Sequence, residues 1–349
     1  MPFALVIASI FLSVFDAKNS FFRTDEYKLI SNVFFFNQAH ILLTFFLIFS
    51  TSHFAIWRKK IKIHKVYKVN YTYYLLLVFF VFYFIVLSFF FDFFSLGPKT
   101  SMAIYFFFYQ LYGTHHFLYQ SFGLSSHLSN GFMLSEPENQ NHGADIIQQI
   151  HSEKQNVQVL YFSFCVNITA FTFFKNNAVV YYSMISIGAL VGLVSLVRIY
   201  LSFQKINLGQ LNDKKRLFCI RYFLYPMKGL SLWMALASVI IHGWEYIYFT
   251  NKAIKSDSNH RKLSIQKMSI FLAFEIAFVI PLLFMNSSDL MTIFGFKKST
   301  TYFLIAGFVN ALILCHFVTD RLIFSRSSNP DSYSSGFFNE TSLELYKIR

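Results

Sequence analysis

Four histidines of this chain stand near the ends of apolar stretches, each with a polar or aromatic partner at helical spacing: His53 with Trp57, His116 with Gln120, His242 with Glu245 and Tyr246, and His316 with Asp320. Residues three or four apart share one face of a helix, so each set presents its donor and acceptor atoms toward a common interior. Polar groups in hydrocarbon are costly and are kept where they bind a ligand, relay protons or hold a metal. Imidazole is the commonest neutral metal ligand, and a nitrogen-rich site with one or two carboxylates suits iron, copper or zinc better than magnesium or calcium. The expected metal group is His53, His115, His116, His242 and His316. His115 and His116 diverge by about 100° around a helix, so one faces the interior while the other supports it or meets another helix. Glu275 or Asp320 is expected as a further ligand or as the acceptor of an imidazole N–H, Glu245 accompanies His242, and Gln120 hydrogen-bonds a ligand or dioxygen. Tyr246 and Trp57 would wall the site.

Each piece also has a plainer reading. His53 and Trp57 fit an interfacial pair ahead of a basic anchor, Asp320 and Arg321 a local ion pair at a helix end, and Glu275 a protonated carboxyl bonded to a neighbouring helix. The HH pair with Gln120 points more firmly to a bundle interior, because three strongly polar side chains crowd one short apolar stretch. His40 lies at the opposite end of its stretch, and His64, His127, His142, His151 and His260 fall in segments read as loops, so they are left out of the group.

Such a group needs helices to carry it. Of 349 residues, 55% are hydrophobic and only 13% charged, with a mean hydropathy of +0.46. The apolar residues recur in helix-length blocks, which excludes an ordinary soluble domain and implies an integral membrane protein. The net charge of +13 is what Lys and Arg on cytoplasmic loops produce, so it does not imply a nucleic-acid partner. Cys165, Cys219 and Cys315 lie in apolar segments without a CxxC pair, giving neither a disulfide framework nor a zinc knuckle. No Gly-rich phosphate loop, GxSxG elbow or HExxH pair occurs.

Allowing roughly 20 apolar residues per crossing predicts an all-α, polytopic transmembrane bundle of about nine spans, within a range of eight to ten. These fall near residues 2–15, 35–57, 72–95, 101–122, 157–174, 178–203, 229–249, 267–285 and 301–324. The run Phe3 to Phe15 is read as a short first span, since it lacks the basic start and small-residue cleavage site of a signal peptide. Residues 1–324 then form one transmembrane domain with a polar cytoplasmic loop at about 123–156, holding one short helix around Asp145 to His151, and residues 325–349 form a flexible tail. A tight Lys175-Asn176-Asn177 turn separates two of the spans. The basic run from Arg58 to Lys68, free of acidic residues, marks the cytoplasmic side. Lys252, Lys255, Arg261 and Lys262 ask for the same side, which parity allows if Leu217 to Tyr225 is a re-entrant or interfacial piece turning at Pro226, the preferred reading; the alternative leaves residues 250–266 outside. His53, His242, His316 and Glu275 then share a slab roughly 7 to 15 Å beneath the cytoplasmic surface, and His116 ends its span on that side.

The layout resembles that of membrane-embedded, histidine-rich oxygenases, the fatty-acid desaturases and hydroxylases and the carotenoid-cleaving membrane dioxygenases, which place histidines near the cytoplasmic ends of helices. The HxxxH and HxxHH boxes of the desaturases are absent, and the single HH at His115 and His116 with otherwise dispersed histidines is more similar to a one-metal, four-histidine centre. The expected function is a metal-dependent oxidoreductase of the bacterial inner membrane. It would use non-haem iron on a lipid-like or isoprenoid substrate and take electrons from a donor protein. The alternatives are a proton-coupled transporter working through Glu275, His242, His316 and Asp320, a protein holding haem, zinc or no cofactor, and a non-catalytic membrane subunit.

Overall fold

The computed structural model describes residues 98–205, 208–227, 232–256, 316–317 and 333–346, which are helical with no strand among them. In chain order the helices are α1 (Pro98–Ser135), α2 (Pro137–Gln140), α3 (Gly143–Phe173), α4 (Ala178–Gln204), α5 (Gln210–Met227), α6 (Leu232–Ser256) and α7 (Tyr333–Leu345). His53, Glu275 and Asp320 lie outside the described residues, as do the spans expected near 2–15, 35–57, 72–95 and 267–285 and nearly all of 301–324. Among the described residues, one packing unit holds Met102–His242 and α7, and a second holds Pro98–Ser101, α6 from Gly243 onward, His316 and Phe317.

Two of the described helices, α3 and α4, are long and apolar enough to cross a membrane. The Lys175-Asn176-Asn177 turn separates them, and the Asn177 side chain caps α4 by accepting from the Val180 N–H at 3.3 Å. The face that α4 buries is Gly188, Gly192, Ser195, Ile199 and Phe203. A Cβ at Gly188 would collide with Asn167 of α3, and one at Gly192 would lie 2.8 Å from the Ser163 hydroxyl, so the hairpin is held by close approach of backbones across small residues. The large apolar side chains of α4 point outward instead, with Ile187, Leu190, Leu193, Val194 and Val197 all exposed. Small residues inside and bulky apolar residues outside is the arrangement favoured when the surrounding solvent is hydrocarbon.

Most of the stretch at 123–156, expected as a loop, is helical: α1 continues to Ser135 and α3 begins at Gly143. Its polarity marks a packing face, for Ser125, Ser126, His127, Ser129 and Asn130 are buried. The element packed there is α7, which forms within the segment expected as a flexible tail and buries Phe337, Phe338 and Asn339. The His127 ring N–H donates to Asn339 Oδ1 at 2.9 Å, Phe338 stacks on the same ring, and Gly131 lets the helix close in, since a Cβ there would lie 2.8 Å from the Asn339 carbonyl oxygen.

A buried ion pair fastens α5 to α3. Lys215 Nζ and Glu153 Oε2 are 3.1 Å apart with both side chains fully buried. Lys215 also donates to Gln149 Oε1 at 3.0 Å, the Tyr222 hydroxyl donates to Glu153 Oε1 at 2.5 Å, and Gln149 Nε2 donates to the Ser202 carbonyl of α4 at 3.1 Å. Burial lowers the pKa of the Lys215 ammonium against the opposing pull of Glu153, and burial followed by the Glu153 charge raises that of Tyr222 well above the ordinary phenol value. Removing one charge strands the other in a low-dielectric interior, so Glu153→Ala is expected to cost about 3–5 kcal/mol, while Glu153→Leu with Lys215→Met restores most of it. Thermal unfolding in detergent checks the order, and a double variant as unstable as the single one would contradict it. Burial also pushes the Cys219 thiol up to about 12. In a Cys165→Ser, Cys315→Ser background, maleimide labelling at pH 8 should therefore run about a thousandfold slower than for free cysteine; labelling at the free-thiol rate would show the helix to be open there.

Candidate metal centre

Helix α6 is two-faced. His242, Glu245, Tyr246, Phe249 and Thr250 are buried on one side, whereas Trp244 and Ile247 are exposed on the other, which is the periodicity of a helix with one face in a protein interior. On α1, His116 and Gln120 are one turn apart and both buried. The two helices bring His116 Nε2 and His242 Nε2 to 3.2 Å, with the rings at 81° and their side chains 5% and 1% exposed. Two nitrogens bound at about 2.0–2.1 Å to one ion lie roughly 2.8–3.4 Å apart at coordination angles between about 90° and 110°. The pair is thus spaced as two ligands of a single metal. The same separation serves a direct hydrogen bond when one ring donates and the other accepts. Phe117 lies against the His242 ring at 4.5 Å and against Tyr225 of α5 at 5.2 Å, walling the pair with apolar surface.

One turn beyond His242 on α6, the Tyr246 ring meets that of His316 edge-on at 5.8 Å, and His316 is completely buried. His116 and His242, both in the first packing unit, could each offer one ring nitrogen to a metal ion, while His316 belongs to the second. Two imidazoles leave coordination positions for further ligands.

The remaining expected residues are distributed as follows. His115 turns away from His116, stacks on Tyr119 at 4.3 Å and meets Tyr161 of α3 edge-on at 5.0 Å. Glu245 is buried beside His242 on α6. Gln120 is 4% exposed, and neither of its amide atoms meets a hydrogen-bond partner among the described residues. A buried amide left so is what a polar atom of a ligand satisfies.

Sequence reasoning passed over Glu153, Lys215 and His127. A signal existed for the first two: Glu153 interrupts the apolar stripe Ile146, Ile150, Val157, Leu160, Phe164, and Lys215 interrupts Leu211, Phe218, Tyr222, all buried. A charge at a core position of a periodic stripe calls for a partner charge. His127 follows Gln120 by seven residues and so continues its face of α1.

Set beside protein families, curated proteins and solved structures, the chain matches none. His116→Ala and His242→Ala should each weaken binding of added Zn(II) by at least about tenfold, while His115→Ala changes it less than roughly twofold. Isothermal titration of the purified protein measures this, and an equal loss for all three would dissolve the distinction between the two neighbouring histidines.

Proposed function

We propose that this chain is a multi-pass protein of the bacterial inner membrane, with about nine spans, that holds one metal ion at His116, His242 and His316 and oxidises a lipid-like or isoprenoid compound. The observation that carries the reading is the buried 3.2 Å approach of His116 Nε2 to His242 Nε2. The outward apolar face of α4 supports membrane insertion. His53 and a carboxylate from Glu275 or Asp320 are proposed to complete the ligand set.

Iron suits an imidazole-rich pocket walled by Phe117 and Tyr225, and would supply one-electron and dioxygen chemistry there with electrons from a donor protein. The chain's own part is to bind and exclude. The imidazoles hold the ion, Phe117, Tyr225 and Tyr246 keep competing water away, and the Gln120 amide offers a donor and an acceptor to a polar atom of the substrate. Glu245, buried one turn from His242, would orient an imidazole or hold a proton.

The His116–His242 contact also favours a second reading. As a direct imidazole hydrogen bond it would pass protons in a proton-coupled carrier. Elemental analysis of detergent-purified protein separates the two. The oxidoreductase reading expects about one iron per chain, lost in the His116→Ala, His242→Ala variant, with no haem absorption band. Near-zero metal in both proteins would remove the enzyme and leave the carrier.

A further inference from the structure

One end of the α3–α4 hairpin carries a groove whose lining includes two cations and no carboxylate. Arg198 and Lys205 are seven residues apart on α4, hence on one face, and both are exposed without an ion-pair partner among the described residues. With Ser152, Gln155 and Asn156 of α3 and Ser202 of α4 they line a groove of about 750 Å³ whose walls include no Asp or Glu. Val159 and Leu201 form its apolar margin. Part of the wall is fixed internally, since Asn156 Nδ2 donates to the Ser152 carbonyl at 2.8 Å and the Ser202 hydroxyl to the Ile199 carbonyl at 2.7 Å.

The depth of the groove follows from the two helices. Neither Val157–Phe173 of α3 nor Ala178–Val197 of α4 contains Asp, Glu, Lys or Arg. At 1.5 Å per residue these runs measure roughly 25 and 30 Å, about the hydrocarbon thickness of a bilayer. Arg198 and Asn156 stand where the runs stop, at the level of lipid headgroups. The planar fork of arginine matches phosphate oxygens, lysine adds a point charge, and the Gln155 amide offers a neutral donor. Beyond the apolar margin, the exposed side chains of Val194 and Val197 present a surface for acyl chains.

We infer that this groove binds the phosphate of an anionic phospholipid drawn from the bilayer, with Arg198 and Lys205 as its charged contacts. The inference rests on the membrane placement proposed above and is independent of the metal.

The full-length protein in mild detergent, titrated with phosphatidylglycerol or phosphatidylcholine and read by native mass spectrometry, tests it. Saturable binding with preference for phosphatidylglycerol is expected. Arg198→Gln and Lys205→Gln should each weaken it about fivefold, and Lys175→Gln, at the other end of the hairpin, should leave it unchanged. No preference between the lipids, or an equal effect of Lys175→Gln, overturns the proposal. So does inorganic phosphate binding as tightly as the lipid, which would make the occupant a soluble anion. Alkaline carbonate extraction of membranes reads insertion by itself. Protein released by carbonate fails the membrane placement, whereas protein retained but indifferent to headgroup charge fails only the groove.

Discussion

A polar group withdrawn from water must find its partner inside the protein, and that requirement sets how the described helices face one another. Contact between apolar surfaces says little about helix rotation in hydrocarbon, because lipid tails satisfy a leucine as well as a neighbouring helix does. Polar side chains discriminate. Lys215 reaches Glu153 from one face of α5 only, His116 reaches His242 from one face of α1 only, and His127 meets Asn339 under the same condition. Each contact joins helices distant in the chain, so a register or rotation that broke it would leave a buried charge or imidazole without compensation.

The hairpin of α3 and α4 shows the complementary rule. Its interior is made of Gly188, Gly192, Ser163 and Asn167, and its exterior of leucine, isoleucine and valine. Backbones approach closely, dispersion contacts accumulate, and the bulky apolar side chains face outward. The same logic bears on the metal chemistry proposed for His116 and His242. Aromatic rings from α1 and α5 keep the local dielectric low, and a pair of neutral nitrogens can be held there without the desolvation penalty that a carboxylate pair would meet.

Helical content was legible from the apolar blocks, and the Lys175-Asn176-Asn177 turn from the abrupt polar break between two of them. The pairing of His116 with Gln120 on one face of α1, and of His242 with Glu245 and Tyr246 on α6, follows from spacing alone. What spacing does not show is direction: nothing local distinguishes His115, turned toward Tyr119 and Tyr161, from its neighbour, because the choice is made by helices packed from elsewhere. Polarity misled where it served packing. The serines, His127 and Asn130 of α1 have the composition of a solvated loop, and only the arrival of α7 explains their burial. Glu153 and Lys215 were readable as interruptions of apolar stripes, but their pairing joins separate segments and has no local signature.

The contact between α1 and α7 sets an order of events in biosynthesis. Asn339 is translated 212 residues after His127. At ordinary elongation rates of about 5–20 residues per second, the ribosome needs roughly 10 to 40 s to supply it. During that interval the serine-rich face of α1 and the site of closest approach at Gly131 must be sheltered by water, the insertion machinery or another nascent segment. A chain halted before Asn339 would display that face permanently, giving quality-control proteases a way to recognise it.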